Sequence, residues 1–387
     1  MEINTPEIRF KGFSEEWVKQ ELGSDIAEII GGGTPSTLIS EFWGGDIDWY
    51  SPTEIGHSVY AKGSEKKITA LGLKSSSAKV LPAANTILFT SRAGIGDMAI
   101  LAKQGTTNQG FQSLVVKDGF SPYFIYSAGK QIKEFALKHA SGSTFLEISG
   151  KQLGRMQLLV PKNKEQNKIG NTFQKLDSLI NKHQQKHNKL SNVKKAMLAK
   201  MFPKQGETIP EIRFKGFTGE WKETELGDVF AYERPDNYIV SSTEYSNKYS
   251  TPVLTANKGF LLGYTHEKST YDNPSIIFDD FTLDSKFVDF PYMVKSSALK
   301  ILTIKDNKQN DLLFAFHLLS TTRIEVLGHA RHYIGIVQKT KVNIPKKEEQ
   351  TAIGSYFQKL DSLINQQQQQ ITKLKKIKQA CLSKMFV

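Results

Sequence analysis

The chain repeats itself twice, at two different offsets, and this constrains its fold more than any single motif does. Pro6-Glu-Ile-Arg-Phe-Lys-Gly-Phe13, with Trp17 and Glu21-Leu-Gly23, returns as Pro210 to Phe217 with Trp221 and Glu225-Leu-Gly227, 204 residues later. Glu165-Gln166, Ile169-Gly170 and the run Phe173 to Asn181 return as Glu349-Gln350, Ile353-Gly354 and Phe357 to Asn365, 184 residues later. The second pair ends alike, in Lys200-Met-Phe202 and Lys384-Met-Phe386. The first of these endings leads within a few residues into Pro210, and the chain begins where the second would continue. Joining the termini would close a circle of two equivalent units, each a globular block followed by a helical tail. A pseudo-two-fold arrangement is therefore expected.

Each tail opens after a proline, Pro161 or Pro345, with Glu165 or Glu348-Glu349 in the first turn, where a carboxylate favours the positive end of the helix dipole. Residues then recur at alternating spacings of four and three: Ile169, Phe173, Leu176, Ile180, His183, His187, Leu190, Met197 and Met201. The second tail reads Ile353, Phe357, Leu360, Ile364, Gln367, Ile371, Leu374, Cys381 and Met385. Such a heptad stripe predicts coiled-coil packing. About 38 residues of helix span roughly 57 Å, so the tails read as spacers running antiparallel to one another. His183 and His187 have the spacing of a metal pair, but no third ligand is signalled and Gln367 replaces the first of them in the second tail. A polar break that pins register is the expected role. The low-complexity run Gln366 to Gln370 is expected to be exposed.

The net charge of +12 points towards a polyanion, and its distribution matters more than its total. Residues 161–203 hold ten lysines against Glu165 and Asp177, and residues 345–387 hold eight against Glu348, Glu349 and Asp361. The rest of the chain is nearly neutral, so nucleic-acid contact there needs local basic loops. The tail lysines read either as a solvated helix face or as phosphate contacts. Between the matched edges, residues 24–160 and 228–344 share no visible similarity. One scaffold thus carries two contents, as a reader of two unlike half-sites requires; identical modules would call for a palindrome. No stretch approaches the ~20 apolar residues of a membrane span, and the N-terminus lacks the pattern of an export signal. The single cysteine, Cys381, can form neither an internal disulfide nor a zinc site, which fits a reducing cytosol.

Signatures of catalysis are missing. The strings nearest to a methyltransferase's cofactor loop and catalytic motif are Arg92-Ala-Gly-Ile-Gly96 and Asn273-Pro-Ser275, and neither qualifies. Gly150-Lys151 lacks the upstream glycine of a phosphate loop. Pro235-Asp236 and Asp284-Ser-Lys286 can be strung into the acidic-and-lysine pattern of a magnesium nuclease, but nothing in the first block duplicates it, and turn and surface positions explain these residues. A coiled-coil scaffold without a nucleic-acid role would explain the tails and leave two divergent blocks between matched edges unexplained.

The Pro-x-x-x-Glu-Gln-x-x-Ile-Gly segments from Pro161 and Pro345, the Phe-Gln-Lys-Leu-Asp-Ser-Leu-Ile runs, the lysine-rich tails, and Gly33-Thr-Pro-Ser36 followed by Phe42-Trp-Gly-Gly-Asp-Ile-Asp-Trp49 resemble type I restriction-modification specificity subunits. The resemblance spans the whole chain. It implies a non-catalytic, cytoplasmic subunit that binds double-stranded DNA at a bipartite, asymmetric site with an unread gap. It further implies two copies of an adenine methyltransferase subunit held largely through the helices, and two restriction subunits that join for cleavage. No cofactor is expected on this chain: S-adenosylmethionine belongs to the methyltransferase partner, and ATP and magnesium to the motor-nuclease partner.

The expected organisation is a first target-recognition domain over residues 1–160, a spacer helix over 161–205, a second target-recognition domain over 206–344 and a second spacer helix over 345–387. The fold class is α+β, two mixed globular domains separated by two long antiparallel helices in a pseudo-two-fold cyclic repeat. Helix–helix and partner contacts are assigned to Ile169, Phe173, Leu176, Ile180, Leu190, Met197, Ile353, Phe357, Leu360, Ile364, Ile371 and Leu374.

Base readout needs paired donors and acceptors on loops that reach the major groove. In the first block the candidates are Thr34, Ser36, Ser91, Arg92, Asn108, Gln109, Ser143 and Thr144, beside Gly94, Gly96, Gly110 and Gly142, which permit tight loops or close approach to phosphate. In the second they are Asn257, Lys258, Tyr264, Lys286, Arg331, His332 and Tyr333, with Phe278, Phe281, Phe287 and Phe290 read as core. Strands are expected at Thr86–Phe89 and Leu114–Val116, and helices at Tyr123–Lys138 and Leu312–Val326.

Overall fold

Both lysine-rich tails fold as helices of 38 residues, and each contributes to both of the units into which the chain divides. The computed structural model describes residues 4–142, 146–255, 259–324 and 333–387. Unit 1 comprises residues 1–184 and 369–387, and unit 2 comprises residues 185–368.

Unit 1 runs through β1 (Val18–Glu21), β2 (Ala27–Gly31), β3 (Trp43–Tyr50), β4 (Tyr60–Ala61), β5 (Lys66–Ile68), α1 (Ala70–Lys74), β6 (Thr86–Phe89), β7 (Met98–Leu101), β8 (Thr106–Thr107) and β9 (Gln112–Val116). There follow α2 (Pro122–Ser127), α3 (Gly129–His139), α4 (Gly150–Gly154), β10 (Gln157–Val160) and the long α5 (Asn163–Lys200). Five strands pair in the order β2-β9-β6-β7-β4, three in the order β5-β3-β8, and β1 pairs with β10. The apolar runs of β6 and β7 lack alternation because both faces of their sheet are covered. Ile87, Phe89 and Ile100 pack with Phe124 and Ile132 on one side, and Leu88, Leu101, Tyr50 and Phe111 pack on the other.

Unit 2 carries β11 (Lys222–Glu225), α6 (Leu226–Val229), β12 (Phe230–Glu233), β13 (Thr251–Leu254), β14 (Leu261–Thr265), β15 (Ser275–Asp279), β16 (Ser285–Val288), β17 (Met293–Val294) and β18 (Leu299–Ile304). It ends with α7 (Leu312–Thr321), β19 (Lys341–Ile344) and α8 (Lys347–Lys384). The orders here are β12-β18-β15-β16 and β14-β13-β17, with β11 paired to β19. The two blocks share the antiparallel pair at their edges, β1 with β10 and β11 with β19, and differ in the sheets between.

The repeated residues acquire a common structural meaning. Arg9 closes two hydrogen bonds of 2.7 Å on the buried Glu165 carboxylate, and Arg213 does the same on Glu349 at 2.6 and 2.7 Å. Gln166 accepts from the Ser121 backbone at 3.0 Å and donates to the Pro161 carbonyl at 2.8 Å. Gln350 repeats this with Asp311 at 3.0 Å and Pro345 at 2.9 Å. A Cβ on Gly170 would stand 2.9 Å from Ser121 Oγ and 3.1 Å from the Phe124 nitrogen, and one on Gly354 would stand 2.7 Å from Asp311 Oδ1. The Glu-Gln-x-x-Ile-Gly string is thus the face by which a helix start is bolted to its own block.

Within each unit the start of one long helix runs antiparallel to the end of the other. In unit 1, Phe173 lies 6.1 Å from Phe386 and Asp177 pairs with Lys378 at 2.6 Å. In unit 2, Phe357 lies 6.2 Å from Phe202 and Asp361 pairs with Lys194 at 2.5 Å. Ile169, Phe173, Ile353, Phe357, Leu360 and Ile371 are buried, and Leu176, Ile180, Leu190, Met197, Ile364 and Leu374 are half-buried.

Several local expectations need correction. Tyr123–Lys138 is two helices, parted at Ala128, where Gly129 sits so close to Met98 that a Cβ would fall 2.9 Å from its sulfur. The helix from Leu312 stops at Thr321 because the hydroxyls of Ser320, Thr321 and Thr322 fold back onto the carbonyls of His317 and Leu318. Phe281 and Phe290 are each 42% exposed, while Phe278 is buried as expected. Within the glutamine run Gln367 is buried, because it sits on the seam between helices.

Candidate nucleic-acid interface

In unit 1 the sequence-predicted residues come together from loops far apart in the chain. The glycines after β2 have no room for a side chain: a Cβ on Gly32 would meet the Asn108 carbonyl at 2.0 Å, and one on Gly33 would meet Ser77 Oγ at 2.3 Å. This close approach lets the Gly33 nitrogen bond to the Thr107 carbonyl at 2.8 Å. Two indoles, that of Trp49 buried and that of Trp43 half-buried, then hold the loop. Trp49 Nε1 donates to the Gly33 carbonyl at 2.8 Å, and Trp43 Nε1 donates to the Ser36 carbonyl at 3.0 Å, with the two rings edge-to-face at 5.0 Å. The Trp-Gly-Gly-Asp-Ile-Asp-Trp string is therefore a brace for the Gly-Thr-Pro-Ser loop.

The braced loop presents Thr34, whose hydroxyl bonds to Gln109 Oε1. Asn108 folds its side chain back as an acceptor for the Gly110 nitrogen at 2.8 Å, which shapes the 108–110 turn. That turn continues into the next loop, since the Ser91 nitrogen bonds to the Gly110 carbonyl at 2.8 Å and the Ile148 nitrogen to the Ser91 carbonyl at 3.1 Å. Arg92 lies over the turn, half-buried, its guanidinium 3.9 Å from Glu147. Ala93, Gly94 and Gly96 take positive φ values of 52°, 107° and 91°, so the glycines make a tight turn possible, as expected. Thr34, Ser36, Arg92, Asn108 and Gln109 consequently share one surface patch with their polar groups at hand. Ser91 does not join them: it is fully buried, and it serves the patch through its backbone. Ser143 and Thr144 lie outside the described residues.

In unit 2 the predicted residues divide. Lys286, on β16, holds its ammonium 4.2 Å above the Phe260 ring, and Tyr264, on β14, shares with Phe260 the lining of an open cleft of about 750 Å³. Leu261, Lys268 and Phe290 are among the other residues of its walls. Beside it Lys295 Nζ donates to the Tyr245 hydroxyl at 3.0 Å. Sequence reasoning missed Phe260, Lys268 and Phe290. The signal was an aromatic and basic interleaving spread over thirty residues rather than a motif.

Tyr333 is a core residue. Its ring packs against Tyr232 and Phe278, its nitrogen donates to Asp280 Oδ1 at 2.8 Å, and burial pushes its phenol well above the usual value. Asp280 in turn pairs with the buried Lys300 at 3.4 Å. Asn257, Lys258, Arg331 and His332 lie outside the described residues. Asp236, in a short 3-10 helix, and Asp284, just before β16, are both exposed, and among the described residues no group of three His, Cys, Asp or Glu side chains is placed to hold a metal ion. Among the same residues no helix is long and apolar enough to cross a membrane.

The family described as "Type I restriction modification DNA specificity domain" matches residues 14–192 and again 218–376. The chain is similar to the type I restriction enzyme MjaIX specificity subunit of Methanocaldococcus jannaschii, 27% identical over 96% of this chain and 93% of that one. It is also similar to the EcoprrI specificity subunit of Escherichia coli, 24% identical over 98% and 95%. Among solved structures, the S subunit of a type I restriction-modification system from M. genitalium superposes with a TM-score of 0.71 at 16% identity, covering 99% of both chains. That likeness establishes the fold.

Proposed function

The chain belongs to the type I restriction-modification DNA specificity family, and from that membership we propose that it reads a bipartite, asymmetric site on double-stranded DNA, one half-site with each block. It is the DNA specificity subunit of such a system, with catalysis in other subunits. The observation that carries the reading is the contrast between edges and contents. The Arg–Glu pair and the glutamine bonds that bolt block to helix recur in both units, while the sheets they hold differ in strand order.

On this reading residues 1–160 and 206–344 are the target-recognition domains, and residues 161–205 and 345–387 are spacer helices whose length sets the unread gap. Direct readout in the first domain belongs to Thr34, Ser36, Arg92, Asn108 and Gln109, together with Ser143 and Thr144. In the second it belongs to Tyr264 and Lys286 at the aromatic cleft, with Asn257, Lys258, Arg331 and His332. Two methyltransferase subunits bind S-adenosylmethionine and modify adenine, and two restriction subunits bring ATP and magnesium chemistry; this chain supplies neither and works in the cytoplasm.

Exchange of residues 24–160 for the matching stretch of another family member tests the division of labour. In complex with the methyltransferase subunits, the exchanged protein is expected to methylate a sequence changed in one half and unchanged in the other. A change in both halves, or in neither, contradicts it.

A further inference from the structure

The lysines of α5 resolve into one line. Lys164, Lys168, Lys175 and Lys182 are all exposed, and their spacings of four and seven place them along a single face, since two helical turns take about 7.2 residues. Asn167, Asn171 and Ser178 lie between them, so the face carries no acidic side chain, and it is turned away from Ile169, Phe173 and Ile180 on the seam. None of the four lysines has an ion-pair partner among the described residues, in contrast to Lys162 on Glu15, Lys194 on Asp361 and Lys378 on Asp177. The sister helix does not repeat the line. The positions 184 residues later are Glu348, Ala352, Lys359 and Gln366. Helix stability does not explain the difference, because a lysine at position 164 opposes the dipole in the first turn whereas Glu348 complements it.

We propose that this face of α5 in unit 1 is a sequence-independent strip for the DNA phosphate backbone, with no counterpart on α8. Four cations spread over about 27 Å of helix match a polyanion whose phosphates recur every ~3.4 Å of axis along each strand, and the amide and hydroxyl groups between them are further phosphate donors. The strip adds binding free energy equally to all sequences, and it acts beside the first block only. The proposal rests on the DNA-reading role above, but it concerns affinity rather than sequence. Leu179, 45% exposed, borders the strip, so the competing occupant is the surface of a protein subunit.

The test uses the full chain assembled with its methyltransferase subunits and the variant Lys164→Gln/Lys168→Gln/Lys175→Gln/Lys182→Gln, with Lys359→Gln as a control on the sister face. Affinity is titrated for a duplex carrying the methylated sequence and for an unrelated duplex, between 50 and 200 mM salt. Each lost phosphate contact lowers the slope of log K against log salt by about 0.9. With two to four contacts removed, the salt-induced loss of affinity is expected to shrink by about 10- to 150-fold, equally on both duplexes, with assembly unchanged. Lys359→Gln is expected to shift the slope by less than one contact. An unchanged slope in the quadruple variant overturns the proposal, and so does loss of methyltransferase subunits, which would mark the face as a protein dock. If the parent complex does not distinguish the two duplexes, the reading of the blocks fails while the slope still judges the strip.

Discussion

Arg9 and Arg213 tie each block to its helix through carboxylates that are buried, and such a pair costs much to break because the remaining charge stays buried. Sequence repetition marked both arginines and both glutamates, yet not their pairing, since 156 residues part Arg9 from Glu165. The same holds for Trp43 and Trp49: their motif was legible, and their work as a brace for the Gly33–Ser36 loop depends on contacts that spacing does not encode. Ser91 and Tyr333 were misread because a polar or aromatic residue beside a glycine looks alike in sequence whether it faces solvent or core. His317 has no counterpart in unit 1. It is buried between Phe316 and Phe357, and burial, aided by the Lys194 charge that Asp361 partly answers, holds its imidazole down at about 3. The folded state therefore keeps it neutral while the unfolded chain takes up a proton below about 6.5. Its contribution is complete above that pH and is lost as the pH falls towards 3. Urea unfolding at pH 7 and pH 5 is expected to show about 2 kcal/mol of acid destabilisation that the variant His317→Leu lacks; equal acid sensitivity in both proteins would refute the assignment.

At the scale of elements, the long helices were the most legible part, because a heptad stripe survives without knowledge of its partner. Asn163–Lys200 and Lys347–Lys384 begin within two residues of the expected starts. Strand Thr86–Phe89 matches its expectation, whereas the break at Ala128 does not follow from periodicity; Gly129, just after it, packs close against Met98 of β7. Gly170 and Gly354 are the points where helix and block come closest. In an exposed helix an alanine would gain about 1 kcal/mol over glycine; here its methyl enters a space held by Ser121 and Phe124, or by Asp311 and Phe314. Gly170→Ala and Gly354→Ala are each expected to cost about 1 to 2 kcal/mol net, read as a lower melting temperature. A rise in melting temperature would mean that the close approach can relax.

For the molecule as a whole, the chain ends fit the cyclic reading of the repeats. Phe386 stacks with Phe124 and meets Trp17, as Phe202 stacks with Phe314 and meets Trp221. The Ile8 nitrogen bonds to the Lys384 carbonyl at 2.9 Å, as Ile212 bonds to Lys200 at 2.9 Å. Two units of one plan, bolted alike and filled differently, are what an asymmetric split site requires. The organisation was legible because repeats are visible in a single sequence; the proposed reading surface was only half legible, because its loops meet through tertiary contacts alone. The most direct test is a map of adenine methylation at single-molecule resolution, in cells with the methyltransferase subunits and with or without this chain. Two unlike short sequences at a constant separation, methylated only when the chain is present, are the predicted result. A continuous or palindromic motif, or methylation indifferent to the chain, would contradict it.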